Sequence, residues 1–215
     1  MGILSERIVN GTMSGDALGL ECAGTIVAVG PGVNRFKVGD DVIATAADCF
    51  RTHLTVPTDM VFPKLPSMRF ADEAALPVVF LTAHYSLITM AHLERGERVL
   101  IHAATGGVGL AAIQVARRAG AIIFATAGSP EKRELLKQMG VEHIMDSRSL
   151  DFADQIMEKT GGRGVDVVLN SLTGQALAKS VEILAPFGRF VEIGKRDIDE
   201  NNGLRMRPFN RNLSF

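Results

Sequence analysis

Short apolar runs alternate along this chain with longer amphipathic ones, and the alternation changes character near residue 70. Residues 18–29 are rich in small and β-branched side chains and end at Gly30-Pro31-Gly32, a strong turn signal. Residues 41–45 predict a second short strand. Residues 50–56 predict a third from their partial alternation (Phe50, Thr52, Leu54, Val56), closed by Pro57. These predict a small antiparallel β-lobe. Residues 71–91 predict a helix broken near Pro77. Strands are then expected at 98–103, 121–126, 143–145, 165–169 and 189–193, separated by helices at 108–119, 130–139, 152–159 and 175–184. Five strands with helical crossovers imply a parallel sheet covered on both faces. The fold class expected is α/β: a Rossmann-type doubly wound sheet plus a partial antiparallel (GroES-like) β-lobe. The boundaries read as 1–75 for a partial substrate lobe, 76–195 for the nucleotide-binding domain, and 196–215 for a polar tail leading back toward the lobe.

The most informative segment lies where the first core strand meets its helix: Ala103-Ala104-Thr105-Gly106-Gly107-Val108-Gly109. Glycines without a Cβ let a chain turn tightly and bring backbone amides to a pyrophosphate. Gly109 would let the helix pack closely on the strand. A glycine cluster alone marks only a tight turn, but here strand and helix flank it as a dinucleotide site requires. Ala104, Thr105, Gly106, Gly107, Val108 and Gly109 are therefore candidate cofactor-binding residues.

The next strand end selects the cofactor. An NAD site places Asp or Glu there to bind the ribose hydroxyls. This chain has Thr126-Ala127-Gly128-Ser129 instead, with Lys132 and Arg133 one turn later. A missing acid with cations close by suits a 2′-phosphate, so Thr126, Ser129 and Lys132 are candidates and NADPH is the expected cofactor. Ser129 also reads as an N-cap with Pro130 at the first helical position. Lys132 also reads as a solvated surface charge.

Composition narrows the field. With 23 basic and 24 acidic residues dispersed along 215, no basic block favours nucleic acid or an anionic membrane. Two cysteines, Cys22 and Cys49, do not make a disulfide framework and suit a reduced, cytoplasmic setting. The apolar run 76–91 carries Thr82, His84, Tyr85, Ser86 and Thr89 and reads as too short and polar to span a bilayer. The cysteines and five scattered histidines lack ligand spacing, so no metal is expected.

The segments Leu18-Gly19-Leu20-Glu21-Cys22-Ala23-Gly24, Val29 to Val33 and Phe36-x-Val38-Gly39-Asp40 resemble the catalytic lobe of the medium-chain reductase superfamily. Pro77 to Ala83 with Tyr85, the loop from His102 to Gly109, Gly164 to Leu172 and Gly188 to Lys195 together resemble the enoyl reductases of polyketide and animal fatty-acid synthases. The tail through Asn201-Asn202-Gly203-Leu204 looks most like fungal highly reducing polyketide synthases. Zinc-using members carry histidine where this chain has Leu20. The resemblance implies NADPH-dependent reduction of the C2–C3 double bond of an enoyl thioester held on the phosphopantetheine arm of an acyl carrier protein. It implies other synthase domains as partners and a homodimeric parent. Lys195 matches the family's proposed proton donor, while a lysine after a strand also reads as a surface charge. Thr82, Asn170 and Ser171 would line the nicotinamide end, and Gly194 is a further cofactor-binding candidate.

Family domains run longer, so the chain reads as a segment of a larger protein, without the acidic partner of the lysine. Leu4 stands near a position where many bacterial members have a tyrosine linked to methyl-branch stereochemistry. Two other readings stay open: a quinone or enone oxidoreductase of the same superfamily, and a cofactor-binding but inactive structural domain. Substrate chain length, methylation and stereochemistry are not legible.

Overall fold

The computed structural model describes residues 18–215, so Leu4 lies outside the described residues. The chain divides into two compact units, 1–79 and 80–215.

In the first unit β1 (Glu21–Thr25), β2 (Asp41–Thr45) and β3 (Val61–Pro63) form an antiparallel sheet in the order β1-β2-β3. Phe36, Val42, Ala44 and Val61 make its small core. The expected strand at 50–56 is not formed, and the third strand comes at 61–63 instead. Alternation misled because Phe50 is 79% exposed, so the pattern does not mark a buried face.

Helix α1 (Phe70–Glu73) and helix α2 (Pro77–His84), which continues as a π-helical turn Tyr85–Met90, follow. The break before Pro77 falls where a ring without an N–H stops a helix. By length and composition alone Phe70–Met90 passes as able to cross a membrane, with mean hydropathy 1.3, a longer stretch than the run 76–91 read above as too short and polar. The backbone is nevertheless interrupted at 74–76, and Glu73, within the run, is 2% exposed and accepts the Leu65 N–H.

The second unit is built on five parallel strands: β4 (Arg98–Ile101), β5 (Ile122–Ala127), β6 (His143–Asp146), β7 (Val165–Asn170) and β8 (Leu184–Glu192), ordered β6-β5-β4-β7-β8. Helices α3 (Gly107–Ala119), α4 (Pro130–Gln138), α5 (Phe152–Lys159) and α6 (Gln175–Glu182) make the crossovers. All six residues of β7 are buried, as a central strand covered on both faces requires. Leu100, Phe124, Phe152, Ile156, Val168, Val181, Leu184 and Phe190 fill the main core. Strand β8 begins at Leu184, where a helix was expected to end, because Leu184 pairs with Val165 before a register shift. The tail is more structured than its sequence suggests: α7 (Arg196–Asp199) and a 3-10 turn Arg207–Arg211 form, and Leu204, Phe209 and Leu213 pack against the main core.

The amino ends of the strands are clamped by charge. Arg189 of β8 makes a two-pronged pair with Glu97 before β4 (2.6 and 2.8 Å) and donates to the carbonyls of Ala91, His92 and Asp166. Asp166 of β7 accepts the Arg98 N–H at 2.8 Å.

Candidate active site

The strand order reverses direction between β4 and β7, and the crevice outside the carboxyl ends at such a switch point is where doubly wound sheets bind ligands. Along that edge stand, in spatial order, Ser129 and Lys132 after β5, the 102–109 loop after β4, Asn170 and Ser171 at β7, and Gly194 and Lys195 after β8. Three strand spacings span about 14 Å, on the scale of an extended dinucleotide.

The loop after β4 is rigid for identifiable reasons. Ala103, three residues before Gly106, takes the left-handed conformation (φ 46°). Gly106 is extended (φ −76°, ψ 169°). The tight turn therefore rests on Ala103, and the expectation that Gly106 and Gly107 supply it is corrected. Gly109 has the packing role expected: a Cβ there would lie 2.6 Å from the Ala103 carbonyl oxygen and from the Ala104 backbone. The first intrahelical bond joins the Leu110 N–H to Gly106 O. No side chain caps the helix start. The amides of Gly107, Val108 and Gly109 are thus left for an anion, with the helix dipole behind them. Ala104 is fully buried and its N–H goes to Thr126 O at 3.0 Å, whereas Thr105 is half-buried.

His102 anchors this loop from below. It is 3% exposed, with Nδ1 2.9 Å from Thr126 Oγ1 and Nε2 2.8 Å from Ser180 Oγ. Ser180 spends its own proton on Ala176 O, so the imidazole must donate from Nε2 and accept at Nδ1. Burial pushes its pKa down to about 3, which keeps the ring neutral. Thr126, a predicted cofactor residue, is fully buried with its hydroxyl committed to His102.

At the end of β5 Ser129 is the N-cap of α4, accepting the Lys132 N–H. Lys132 is exposed. Arg133 is not free: it pairs with Asp146 at 3.0 Å and donates to Ala127 O. The second cation is instead Arg148, after β6, whose Nε would lie 3.1 Å from a Cβ placed on Gly128. Sequence reasoning missed it, because the β5–β6 pairing that brings it there is a contact of distant residues.

At β7 Asn170 is fully buried. Its Nδ2 donates to Leu172 O (2.7 Å) and Glu192 Oε2 (2.5 Å), and its Oδ1 accepts the Leu172 N–H. Its polar atoms are thus spent within the protein. Ser171 differs: its Oγ is buried and has no hydrogen-bond partner among the described residues. An orphaned hydroxyl costs about 1–3 kcal/mol, and a polar ligand group would relieve that cost. Lys195 is exposed at the start of α7. Thr82 is half-buried on α2, and no hydrogen bond joins it to the other candidates. Among the described residues no group of three or more His, Cys, Asp and Glu is arranged to hold a metal.

The zinc-binding dehydrogenase family matches residues 107–214, and the alcohol dehydrogenase GroES-like domain matches residues 5–68. The chain belongs to this family of medium-chain dehydrogenases and reductases, a class of oxidoreductases. Its homologues within that class include enoyl reductase domains of polyketide synthases and, at 30% identity, a quinone oxidoreductase of Pseudomonas syringae. It is 52% identical over 199 residues to the phthioceranic/hydroxyphthioceranic acid synthase of Mycobacterium tuberculosis, covering 92% of this chain and 9% of that protein. It is 49% identical over 212 residues to the reducing polyketide synthase FUB1 of Gibberella fujikuroi, covering 97% and 9%. Bacterial and fungal relatives thus match at similar identity. The crystal structure of CurK enoyl reductase superposes with a TM-score of 0.84 at 49% identity, covering 91% of this chain and 58% of that one. The chain therefore spans a small part of the synthases and just over half of the solved reductase.

Proposed function

We propose that these residues form the NADPH-binding part of an enoyl reductase that saturates the C2–C3 double bond of an acyl chain carried on an acyl carrier protein. The observation that carries this reading is one sheet edge bearing an uncapped helix start, two cations at its β5 side, and Ser171 with Lys195 at its β7–β8 side.

The cofactor's place follows from what each group can hold. Gly107, Val108 and Gly109 amides take the pyrophosphate. Ser129, Lys132 and Arg148 take the 2′-phosphate, Lys132 as a point charge and Arg148 as a fork. The Ser171 hydroxyl and the Gly194 segment face the nicotinamide end, and the family resemblance adds Thr82 to that end. When bound, NADPH supplies a hydride to C3. Charge then gathers on the thioester oxygen, and C2 takes up a proton. The Lys195 ammonium serves as donor at that stage, where electrostatic stabilisation is usually the largest catalytic contribution. No metal takes part in this scheme, and the carrier protein and the other synthase domains are its partners.

The test is turnover by the full-length protein. Oxidation of NADPH with a crotonyl thioester, and not with a quinone, supports the reading. Preference for quinones would replace it with a quinone reductase, and tight NADPH binding without turnover would leave a structural domain.

A further inference from the structure

Lys195 has no ion-pair partner among the described residues, and the carboxylates of Glu192, Asp197 and Glu200 are used otherwise. Glu192, three residues before it, sends Oε2 to Asn170 Nδ2 and Oε1 to the Gly194 N–H, both at 2.5 Å. Asp197, two residues after it, accepts the Gly174 N–H with both oxygens (3.0 and 3.2 Å) and the Asn202 amide at 2.9 Å. The segment around Lys195 is therefore tied on both sides to the loop that follows β7, the loop that carries Ser171. The backbone adds a third tie, Ile193 N–H to Asn170 O at 3.0 Å. Glu192 is the innermost of these links. Burial raises its carboxyl pKa, and Asn170 and the Gly194 amide oppose the rise. A Cβ on Gly194 would stand 2.8 Å from Glu192 Oε1, so the glycine is what lets the carboxylate reach the amide beside Lys195.

We propose that Glu192 is a positioning residue: its carboxylate joins Asn170 to Gly194, and so fixes Lys195 relative to Ser171. This rests on the reading of Lys195 as the donor. Displacing a catalytic group by about 1 Å can cost on the order of 10²-fold in rate. A group that only stabilised the fold would instead change turnover and cofactor binding together.

Glutamine at 192 still accepts from the Gly194 amide, but it presents its own NH₂ to the NH₂ of Asn170. Aspartate at 170 would restore an acceptor there. The experiment measures NADPH-dependent reduction of a crotonyl thioester, and NADPH binding by fluorescence, in the full-length protein. The variants are Glu192→Gln, Asn170→Asp, the double variant, Lys195→Ala, and Glu192→Gln in the Lys195→Ala background. Expected are a fall in kcat of about 10- to 100-fold for Glu192→Gln, NADPH Kd within twofold of wild type, partial recovery in the double variant, and no further loss on top of Lys195→Ala. Gly194→Ala, which pushes the carboxylate away without changing its chemistry, should lower kcat in the same way. Normal kcat for Glu192→Gln, or a loss that adds fully to that of Lys195→Ala, would overturn the inference. Unfolding of both the Glu192 and Gly194 variants would overturn it too, making the link one of stability alone. A wild-type protein that binds NADPH but reduces no thioester would overturn the proposed function itself, and this inference with it.

Discussion

The imidazole of His102 joins two elements through two hydrogen bonds: Nε2 donates to Ser180 Oγ on α6 at 2.8 Å, while Nδ1 accepts from Thr126 Oγ1 of β5 at 2.9 Å. The end of β4 and its glycine loop are thus held by a ring that stays neutral.

Stability should therefore fall on acidification. The folded pKa of His102 is about 3, against 6.5 for a free histidine, so between these values the unfolded chain binds the extra proton. Stability contributed by the neutral ring is complete above pH 6.5 and drains away as pH drops toward 3. The slope from this group is at most about 1.4 kcal/mol per pH unit. Denaturant unfolding at pH 7 and pH 5 should show it, and His102→Gln should remove that part of the pH dependence while lowering stability at pH 7. Equal pH dependence in both proteins would show that other groups govern it.

Gly109→Ala should be disproportionately damaging. The added methyl would meet backbone, not a yielding side chain. Overpacking of this kind costs about 1–3 kcal/mol, and the loop must open to relieve it. The expected outcome is a lower thermal midpoint together with loss of NADPH binding. Binding within twofold of wild type would place the pyrophosphate elsewhere.

Lys132→Glu and Arg148→Glu should each weaken NADPH far more than NADH. One charge-assisted hydrogen bond is worth roughly 1.5–3 kcal/mol, or about ten- to hundredfold in affinity. Fluorescence titration with both cofactors measures the ratio. Equal losses for the two cofactors would remove these residues from 2′-phosphate recognition.

Much of this site was legible in the sequence because local signals carry it. The strand–glycine–helix pattern marked the turn between β4 and α3, and Ser129-Pro130 marked a cap, both of which the structure contains. What escaped depends on residues far apart in the chain. Arg133 looked like a free cation until Asp146 of β6 was placed beside it, and Arg148 became a candidate through the same pairing. Thr126 seemed ligand-facing, yet its neighbour across the sheet takes its hydroxyl. Asn170 fits the family motif, but its amide is consumed by Leu172 and Glu192. In the small lobe, periodicity in 50–56 outran burial, and the three-residue β3 gave too short a pattern to read.

Lys195→Ala should lower kcat in the full-length protein by about 10²–10³-fold, the usual cost of losing one donor to a developing oxyanion. KM should change less. Water can replace an ammonium as proton source, so the ratio of kcat to KM effects, measured with a crotonyl thioester, is the decisive quantity. An unchanged kcat would make Lys195 a surface charge.

Turnover should need no metal. Leu20 and Glu21 offer no histidine, and the described residues contain no ligand cluster. Elemental analysis should find no stoichiometric zinc, and a chelator should leave the rate unchanged. Stoichiometric zinc whose removal abolishes reduction would change the mechanistic class.

The Glu97–Arg189 clamp sits at the amino ends of the strands, and every candidate binding residue after β4, β5, β7 and β8 sits at the carboxyl ends. The charge clamp and the exposed recognition groups are thus allotted to opposite rims of one sheet. Substitutions of exposed groups such as Lys132 and Lys195 leave the clamp on the other rim untouched, so this scaffold has room to acquire new specificities without first losing its fold.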